Sequence, residues 1–318
     1  MGVVVVESPR RLSASDRVTF VERESCPTCD DTRLDTVWAG RFADEPVSGF
    51  LAQHHYAADV VAALGTERFR LVRCAACSLF FHARVLDESG LTRLYSEWID
   101  GAQIERFEAE HAGGASAASR FEQGRQLFKH MLRLHGLAGC AWPFRLLDVG
   151  CGDGRALRVA SALGFDARGV DPSVTRTARA EHDGVRVHPT IEDALAASEG
   201  RFDAATLMEV LEHVTSPRAV LDGIVRALRP GGVLLIEVPD ASALDGPPST
   251  FDEMRVVHPL EHVNAFTPKT LEAIARAAGL VPAPRMPAHA TTGLKDVVRT
   301  ELSRFVQRPS TSRYFIRP

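Results

Sequence analysis

The 318-residue chain has no stretch near the roughly 18 consecutive apolar residues that a membrane-crossing helix needs. Val3–Val6 is too short for the core of a signal peptide, and no basic residue precedes it. These absences predict a soluble, cytoplasmic protein with no membrane partner. Lysine is almost missing, being confined to Lys129, Lys269 and Lys295 among 37 basic residues. Such an arginine excess, with abundant alanine, marks a GC-rich coding sequence of bacterial type. The formal net charge is -4 and the arginines are scattered among carboxylates, so no basic stripe exists to follow a phosphate backbone. Nucleic acid is therefore not expected as a partner, and a small-molecule substrate is. No internal repeat is present. With 45% apolar residues the chain can bury one large core and a smaller one.

Cysteine is scarce too, yet four of the six residues form two Cys-x-x-Cys pairs: Cys26 and Cys29 in CPTC, Cys74 and Cys77 in CAAC. Cys140 and Cys151 stand alone. Each pair makes a tight knuckle aiming two sulfurs at one point, and two knuckles supply the four thiolates of tetrahedral zinc. A redox dithiol calls for a thioredoxin-like βαβ pattern that does not surround these pairs, and a reducing cytosol disfavours structural disulfides. Four protein ligands leave no position for water or substrate, so the expected zinc is structural. FRLVRC before the second knuckle and SLFFHARV after it predict a hairpin leaving the metal. The 44 residues between the pairs include GFLAQHHYAADVVAALG, whose helical periodicity predicts an insert packed beside the knuckles. His54 and His55 within it are spare zinc ligands at most.

From Leu91 to Gly139 the periodicity is helical. Leu91, Leu94, Tyr95 and Trp98 share one face, and Phe121, Leu127, Phe128, Met131, Leu132 and Leu134 share another. HAGGASAAS between them reads as a flexible loop, so this segment is either a lid or a tie between the zinc module and the core. The expected division is 1–90 zinc module, 91–139 helical connector and 140–318 cofactor-binding domain.

FRLLDVGCGDGRALRVASALGF then predicts a strand over 145–149, a glycine turn, and a helix with Ala156, Leu157, Val159, Ala160 and Leu163 on its apolar face. Gly150, Gly152 and Gly154 let the backbone turn sharply and admit a ligand at a helix N-terminus. A second short strand ends at Asp171, nineteen residues beyond Gly152, where a carboxylate can accept both hydrogen bonds of a ribose diol. A ribose-bearing ligand follows, which leaves NAD and S-adenosylmethionine (SAM) open.

The order Asp-x-Gly-x-Gly-x-Gly from Asp148, RFDAATLMEVLEHV and LRPGGVLLIEVPD resembles the class I SAM-dependent methyltransferases over roughly 140–285. The paired knuckles and LYSEW further resemble a subgroup with an N-terminal zinc module, some members of which methylate sugar nucleotides or other metabolites in natural-product pathways. The gap between knuckles is longer than that resemblance leads one to expect, and Trp98 stands where tyrosine is common. The resemblance implies an α/β, Rossmann-like fold: a seven-stranded, mostly parallel sheet in which SRYFIR supplies an antiparallel strand at one edge. LRPGGVLLIEVP itself reads as a helix stop at Pro230, a turn at Gly231 and Gly232, and a strand covered on both faces. LKDVVRTELSRFVQ reads as an amphipathic helix, and the prolines of 282–287 as an extended stretch.

By resemblance, Gly150, Cys151, Gly152 and Gly154 line the methionine and ribose portions of SAM and Asp148 braces the loop. Asp171 holds the ribose, Pro172 lies by the adenine, Thr190 and Ile191 stand at the adenine edge, and Met208 and Glu209 meet the methionine end. Cys151 is small to fit between glycines rather than a catalytic thiol.

Methyl transfer is an in-line displacement with a good leaving group, so positioning the nucleophile is the protein's main task. A hydroxyl or carbon-acid acceptor also needs a base, which a near-neutral histidine suits. His262 in EHVNAF is the first candidate, assisted by Glu261. His258 and Tyr95 are further catalytic candidates, each with a packing role as its alternative, and His213 reads as a structural histidine. The expectation is a C-, N- or O-methyltransferase of a small metabolite in bacterial secondary metabolism. Its rivals are a non-methylating SAM enzyme such as a cyclase, an RNA or protein methyltransferase, and a nicotinamide oxidoreductase.

Overall fold

The computed structural model describes residues 18–57, 59–99, 104, 117–139, 142–173, 177, 178, 180, 181, 184–286 and 312–318. Val3–Val6, Cys140, most of HAGGASAAS and LKDVVRTELSRFVQ lie outside the described residues.

Among the described residues, five strands come before the one that leads into the glycine loop: β1 (Phe20–Glu22), β2 (Leu34–Arg41), β3 (Arg68–Cys74), β4 (Phe80–His82) and β5 (Arg84–Leu86). β1 pairs with β5, and β2, β3 and β4 form an antiparallel sheet. The β3–β4 pairing is the hairpin that the second knuckle predicts. The remaining strands are β6 (Arg145–Val149), β7 (Asp166–Val170), β8 (Arg186–His188), β9 (Phe202–Met208), β10 (Leu228–Glu237), β11 (Asn264–Ala265), β12 (Val281–Pro282) and β13 (Arg313–Ile316).

Seven of these form one sheet in the order β8-β7-β6-β9-β10-β13-β12. β6 to β10 are mutually parallel, and β13 runs antiparallel to both β10 and β12. The inner strands are apolar at successive positions because both faces are covered. Leu147, Leu234 and Ile236 face the helices Pro217–Ala227 and Pro268–Ala277, whereas Leu146, Val233 and Leu235 face Arg155–Ala162 and Ala117–Ala138. The long connector helix is thus a layer of the core, with Met131 and Leu134 fully buried. Two members of the apolar stripe read from the sequence stay at the surface, Phe121 72% exposed and Leu132 36%, so the stripe is wider than the surface it covers.

Two more boundaries differ from expectation. The helix Pro217–Ala227 ends before Pro230, because Leu228 is already extended and starts β10, as the bias of a residue preceding proline toward extended backbone favours at Arg229. The periodic insert splits into Val47–Gln53 and Val60–Leu64, broken where His54 takes an extended conformation and Tyr56 bridges to Ile99. Nor does the insert pack on the knuckles. Phe50, Leu51, Tyr56, Val60 and Leu64 cluster with Leu94, Trp98, Met254 and Leu260, while Cys26 and Cys74 join the main core.

β11, from far along the chain, completes the sheet as β11-β4-β3-β2. The segment after β10 is thereby fastened to the cysteine-bearing part.

Candidate active site and cysteine cluster

At the carboxyl ends of β6, β7 and β9, the edge where open parallel sheets bind ligands, β6 runs into the glycine loop. Gly150, Gly152 and Gly154 have φ of 75°, 50° and 78°, a left-handed region that costs other residues strain. Packing requires two of them as well: a Cβ on Gly150 would strike Val210, and one on Gly154 would lie 2.8 Å from Ala180 Cβ. The Gly150 and Cys151 amides donate to the Val170 carbonyl at 2.7 and 3.2 Å, holding the loop to β7. Asp171 is buried just past β7, where Oδ2 accepts from the Gly152 amide at 3.0 Å and Oδ1 from the Ser173 amide at 2.9 Å. Each oxygen retains a lone pair for another donor. Loop and carboxylate form one hydrogen-bonded unit, which fits the glycines and diol-binding acid of an adenosyl site.

The other sequence-derived cofactor residues are spread around this unit. Cys151 is buried, with its sulfur against Gly169, where a Cβ would come within 2.5 Å of Sγ. Gly169 is thus a residue that loop-motif reading misses. Asp148 accepts the Thr206 hydroxyl at 2.6 Å across the β6–β9 pair, and burial raises its carboxyl to about 7. Thr190 caps the helix Ile191–Ala196 by accepting from the Asp193 amide, Ile191 is half-buried and Pro172 is exposed. Met208 ends β9 half-buried, and Glu209 follows with φ of 53°, an uncommon conformation for a side-chain-bearing residue and one that no sequence signal announces.

A second polar group is buried nearby. Glu212 and His213 follow β9, while His258, Glu261 and His262 follow the helix Phe251–Val257. His54, His55 and Tyr56 come from the break in the insert. The imidazoles run in series, with ring centroids 5.2 Å apart for His54–His258, 4.4 Å for His258–His262 and 4.8 Å for His262–His213. The Tyr56 hydroxyl donates to Glu261 Oε1 at 2.5 Å and lies 3.0 Å from His258 Nδ1, and His55 Nε2 is 2.8 Å from the same Glu261 oxygen. A phenol has one hydrogen, so with that hydrogen on Glu261 it is the His258 Nδ1–H that donates to Tyr56. His258 Nε2 then carries a lone pair.

Burial sets the charges here. It lowers His258 well below the usual histidine range, with His262 adding to the effect, and lowers His262 to about 3, with His213 adding to it. For Glu261 burial raises the pKa, but the His55 hydrogen bond and the histidine charges outweigh it and hold the carboxyl well below the ordinary range. Burial, then Glu209, pushes the Glu212 carboxyl up. Tyr95 is half-buried in the cluster containing Tyr56 and adds to the upward shift of its phenol. Sequence reading picks out His258, Glu261, His262 and Tyr95 but offers His54 and His55 only to zinc. Here those two face Glu261 and His258, and Tyr56 and Glu212 join the group. The only local signal was HHY within an alanine-rich stretch.

The four knuckle sulfurs lie within 4.8 Å of one another. Cys26–Cys77 and Cys29–Cys74 are each 3.5 Å apart, too far for a disulfide bond of about 2.05 Å. They suit sulfurs held about 2.3 Å from a common tetrahedral ion. The donor set fits zinc, without His54 or His55.

Residues 103–283 match the family described as a methyltransferase domain. A ubiquinone biosynthesis O-methyltransferase of Xanthomonas oryzae pv. oryzae is 37% identical over 114 residues, 34% of this chain and 46% of that protein. The chain spans about half the length of the curated relatives it matches. Among solved structures, the 1,6-didemethyltoxoflavin-N1-methyltransferase of Burkholderia thailandensis is 20% identical, with 66% of this chain and 82% of that chain covered and a TM-score of 0.40. A SAM-bound amino pentose methyltransferase of Micromonospora echinaspora involved in calicheamicin biosynthesis is 26% identical, with 40% and 60% covered and a TM-score of 0.31. A family match over more than half of the chain, on a seven-stranded sheet with one reversed strand beside its edge, places this protein in the methyltransferase-domain family.

Proposed function

We propose that the chain methylates a small-molecule acceptor with SAM, a sugar nucleotide or another metabolite of bacterial secondary metabolism. The observation that carries this reading is the left-handed glycine loop latched through Gly152 to Asp171 in a chain of this family. Bound there, SAM supplies a sulfonium methyl whose leaving group is a neutral thioether. Asp171 and the loop from Gly150 to Gly154 hold it, with Asp148 supporting β6, Pro172, Thr190 and Ile191 on the adenine side, and Met208 and Glu209 toward the methionine end. The histidine-lined group beyond Glu209 faces the acceptor.

In this reading His258 takes the acceptor's proton on Nε2. The charge that then forms is offset through Nδ1–H, the Tyr56 hydroxyl and the ionised Glu261, a relay that His262 lacks. Burial keeps His258 neutral before that step but also weakens it as a base, so the relay to Glu261 has to stabilise the charge that it takes up. The cysteine cluster holds a structural zinc, and 1–90, 91–139 and 140–318 act as zinc module, connector and cofactor domain of one cytoplasmic enzyme.

Mass spectrometry of products from a panel of sugar-nucleotide and phenolic acceptors tests the reaction. A gain of one methylene unit with matching loss of SAM is expected. SAM-dependent turnover to an isomer of the substrate would contradict methyl transfer and give the cyclase reading.

A further inference from the structure

We infer that Glu212, His213 and His262 form a site for a divalent cation, separate from the cysteine cluster and set on the acceptor side of the fold. The inference rests on the proposed function only for the meaning of that side.

One ligand atom from each of the three residues lies within 4.8 Å of the others, and His213 Nε2 is 3.9 Å from Glu212 Oε1. Two imidazole nitrogens and a carboxylate suit first-row divalent ions such as Mn²⁺, Co²⁺ or Zn²⁺, and differ in kind from four thiolates. Glu212 is 1% exposed, and its two buried carboxylate oxygens meet another carboxyl, that of Glu209, rather than a cationic side chain. Buried carboxylate oxygens are rarely left so, because the desolvation cost is uncompensated. An ion between Glu212 and the two histidines compensates it directly.

His262 is oriented as a ligand. One ring nitrogen donates to the Val256 carbonyl, and the other, Nδ1, is buried with no hydrogen-bond partner. A backbone carbonyl on the far nitrogen is the usual means of fixing the tautomer and aiming the lone pair of a metal-bound histidine.

The two ligand-bearing turns are locked together as well. The Asn264 amide donates to the Glu212 carbonyl at 3.0 Å, and its side-chain nitrogen donates to the Leu211 and Val214 carbonyls at 3.1 and 2.7 Å. Arg23 then donates to Asn264 Oδ1 at 2.9 Å and to the Val263 carbonyl at 2.6 Å. Preorganised ligands of this kind bind ions tightly because little ordering remains to be done. An ion here would lower the pKa of an acceptor hydroxyl bound to it, leaving proton removal to His258.

The test is a titration of the full-length protein, given one equivalent of zinc so that the four-thiolate cluster alone is filled, using Mn²⁺ and Co²⁺ as probes. Manganese prefers nitrogen and oxygen over thiolate, so its uptake reads this site rather than the cysteines. One ion per chain is expected for the wild type and for Cys29→Ser, with at least a tenfold loss of affinity in both Glu212→Gln and His262→Gln. Circular dichroism and melting checks that both variants fold. Absence of any Mn²⁺ or Co²⁺ uptake by the wild type, or uptake that folded Glu212→Gln and His262→Gln retain, would overturn the inference. SAM calorimetry on the same samples separates the two ideas: SAM binding without ion uptake removes only the cation, whereas loss of SAM binding in the wild type removes the methyltransferase reading.

Discussion

Tyr56 has one hydroxyl hydrogen to serve two neighbours, and that fixes the direction of its hydrogen bonds: from His258 to Tyr56 to Glu261. Each member has a different kinetic signature. Removing the imidazole in His258→Ala is expected to lower kcat by about 10² or more, the usual range for a positioned base. Tyr56→Phe keeps the imidazole but cuts its connection to Glu261, so a smaller loss of kcat is expected, on the order of tenfold. In both variants SAM affinity should match the wild type, since neither residue touches the glycine loop. Steady-state kinetics with calorimetry checks this, and unchanged kcat in both variants would remove the relay from the mechanism. Glu261→Gln should behave like Tyr56→Phe, because it leaves the geometry but not the charge.

Among the elements, the two-residue β11 has the widest reach. It pairs with β4, and the Arg23 guanidinium clamps the same junction, donating to the carbonyls of His82 and Val263 and to Asn264 Oδ1. Arg23→Met keeps the aliphatic stem and removes those bonds. Hydrogen bonds from a charged group contribute about 1.5–3 kcal/mol each, partly offset by relief of a buried charge, so a net loss of about 2–4 kcal/mol is expected. A shifted urea midpoint with unchanged slope would report it; a shift under about 0.5 kcal/mol would mean the clamp is incidental.

This junction also shows what the sequence could convey. The glycine loop, Asp171 and the knuckles were legible because each is local: a few residues at fixed spacing whose chemistry is set by backbone geometry. β6, β7 and β10 were legible for the same reason, as short strands beside turn signals, whereas β8, only Arg186–His188, holds no apolar run to read. The histidine-lined group was only half legible. His258, Glu261 and His262 stand together in one loop, but His55 and Tyr56 reach Glu261 across 206 and 205 positions of chain. No periodicity records a contact of that kind. The split of the insert was hidden similarly, since the break at His54 follows from Tyr56 bridging Ile99, not from a proline or glycine.

At the scale of the molecule, buried titratable groups tie stability to pH in opposite directions. His82 is fully buried, its Nε2 bonds to the Val257 carbonyl at 2.6 Å, and burial lowers its pKa from 6.5 to about 4. A depressed histidine stays neutral in the folded chain while the unfolded chain takes up a proton. Its contribution is therefore intact above pH 6.5 and lost as pH falls toward about 4. At about 1.4 kcal/mol per pH unit, the wild type should lose about 2 kcal/mol between pH 6.5 and 5 that a His82→Gln variant keeps. Asp148, raised from 3.8 to about 7, opposes this, because its contribution is full at low pH and declines as pH rises through that window. Urea unfolding of the two proteins across the range isolates the histidine, and parallel profiles would contradict its assignment.

In the proposed function the Gly150–Gly154 loop and Asp171 together hold the adenosyl group of SAM, and isothermal calorimetry of the wild type and of Asp171→Ala with SAM and with its demethylated product reads that contact itself. One molecule bound per chain is expected for the wild type, with affinity weakened at least tenfold in the variant, as the loss of charge-assisted hydrogen bonds implies. A wild type that takes up neither compound, or a folded Asp171→Ala that binds both as tightly as the wild type, would contradict the account.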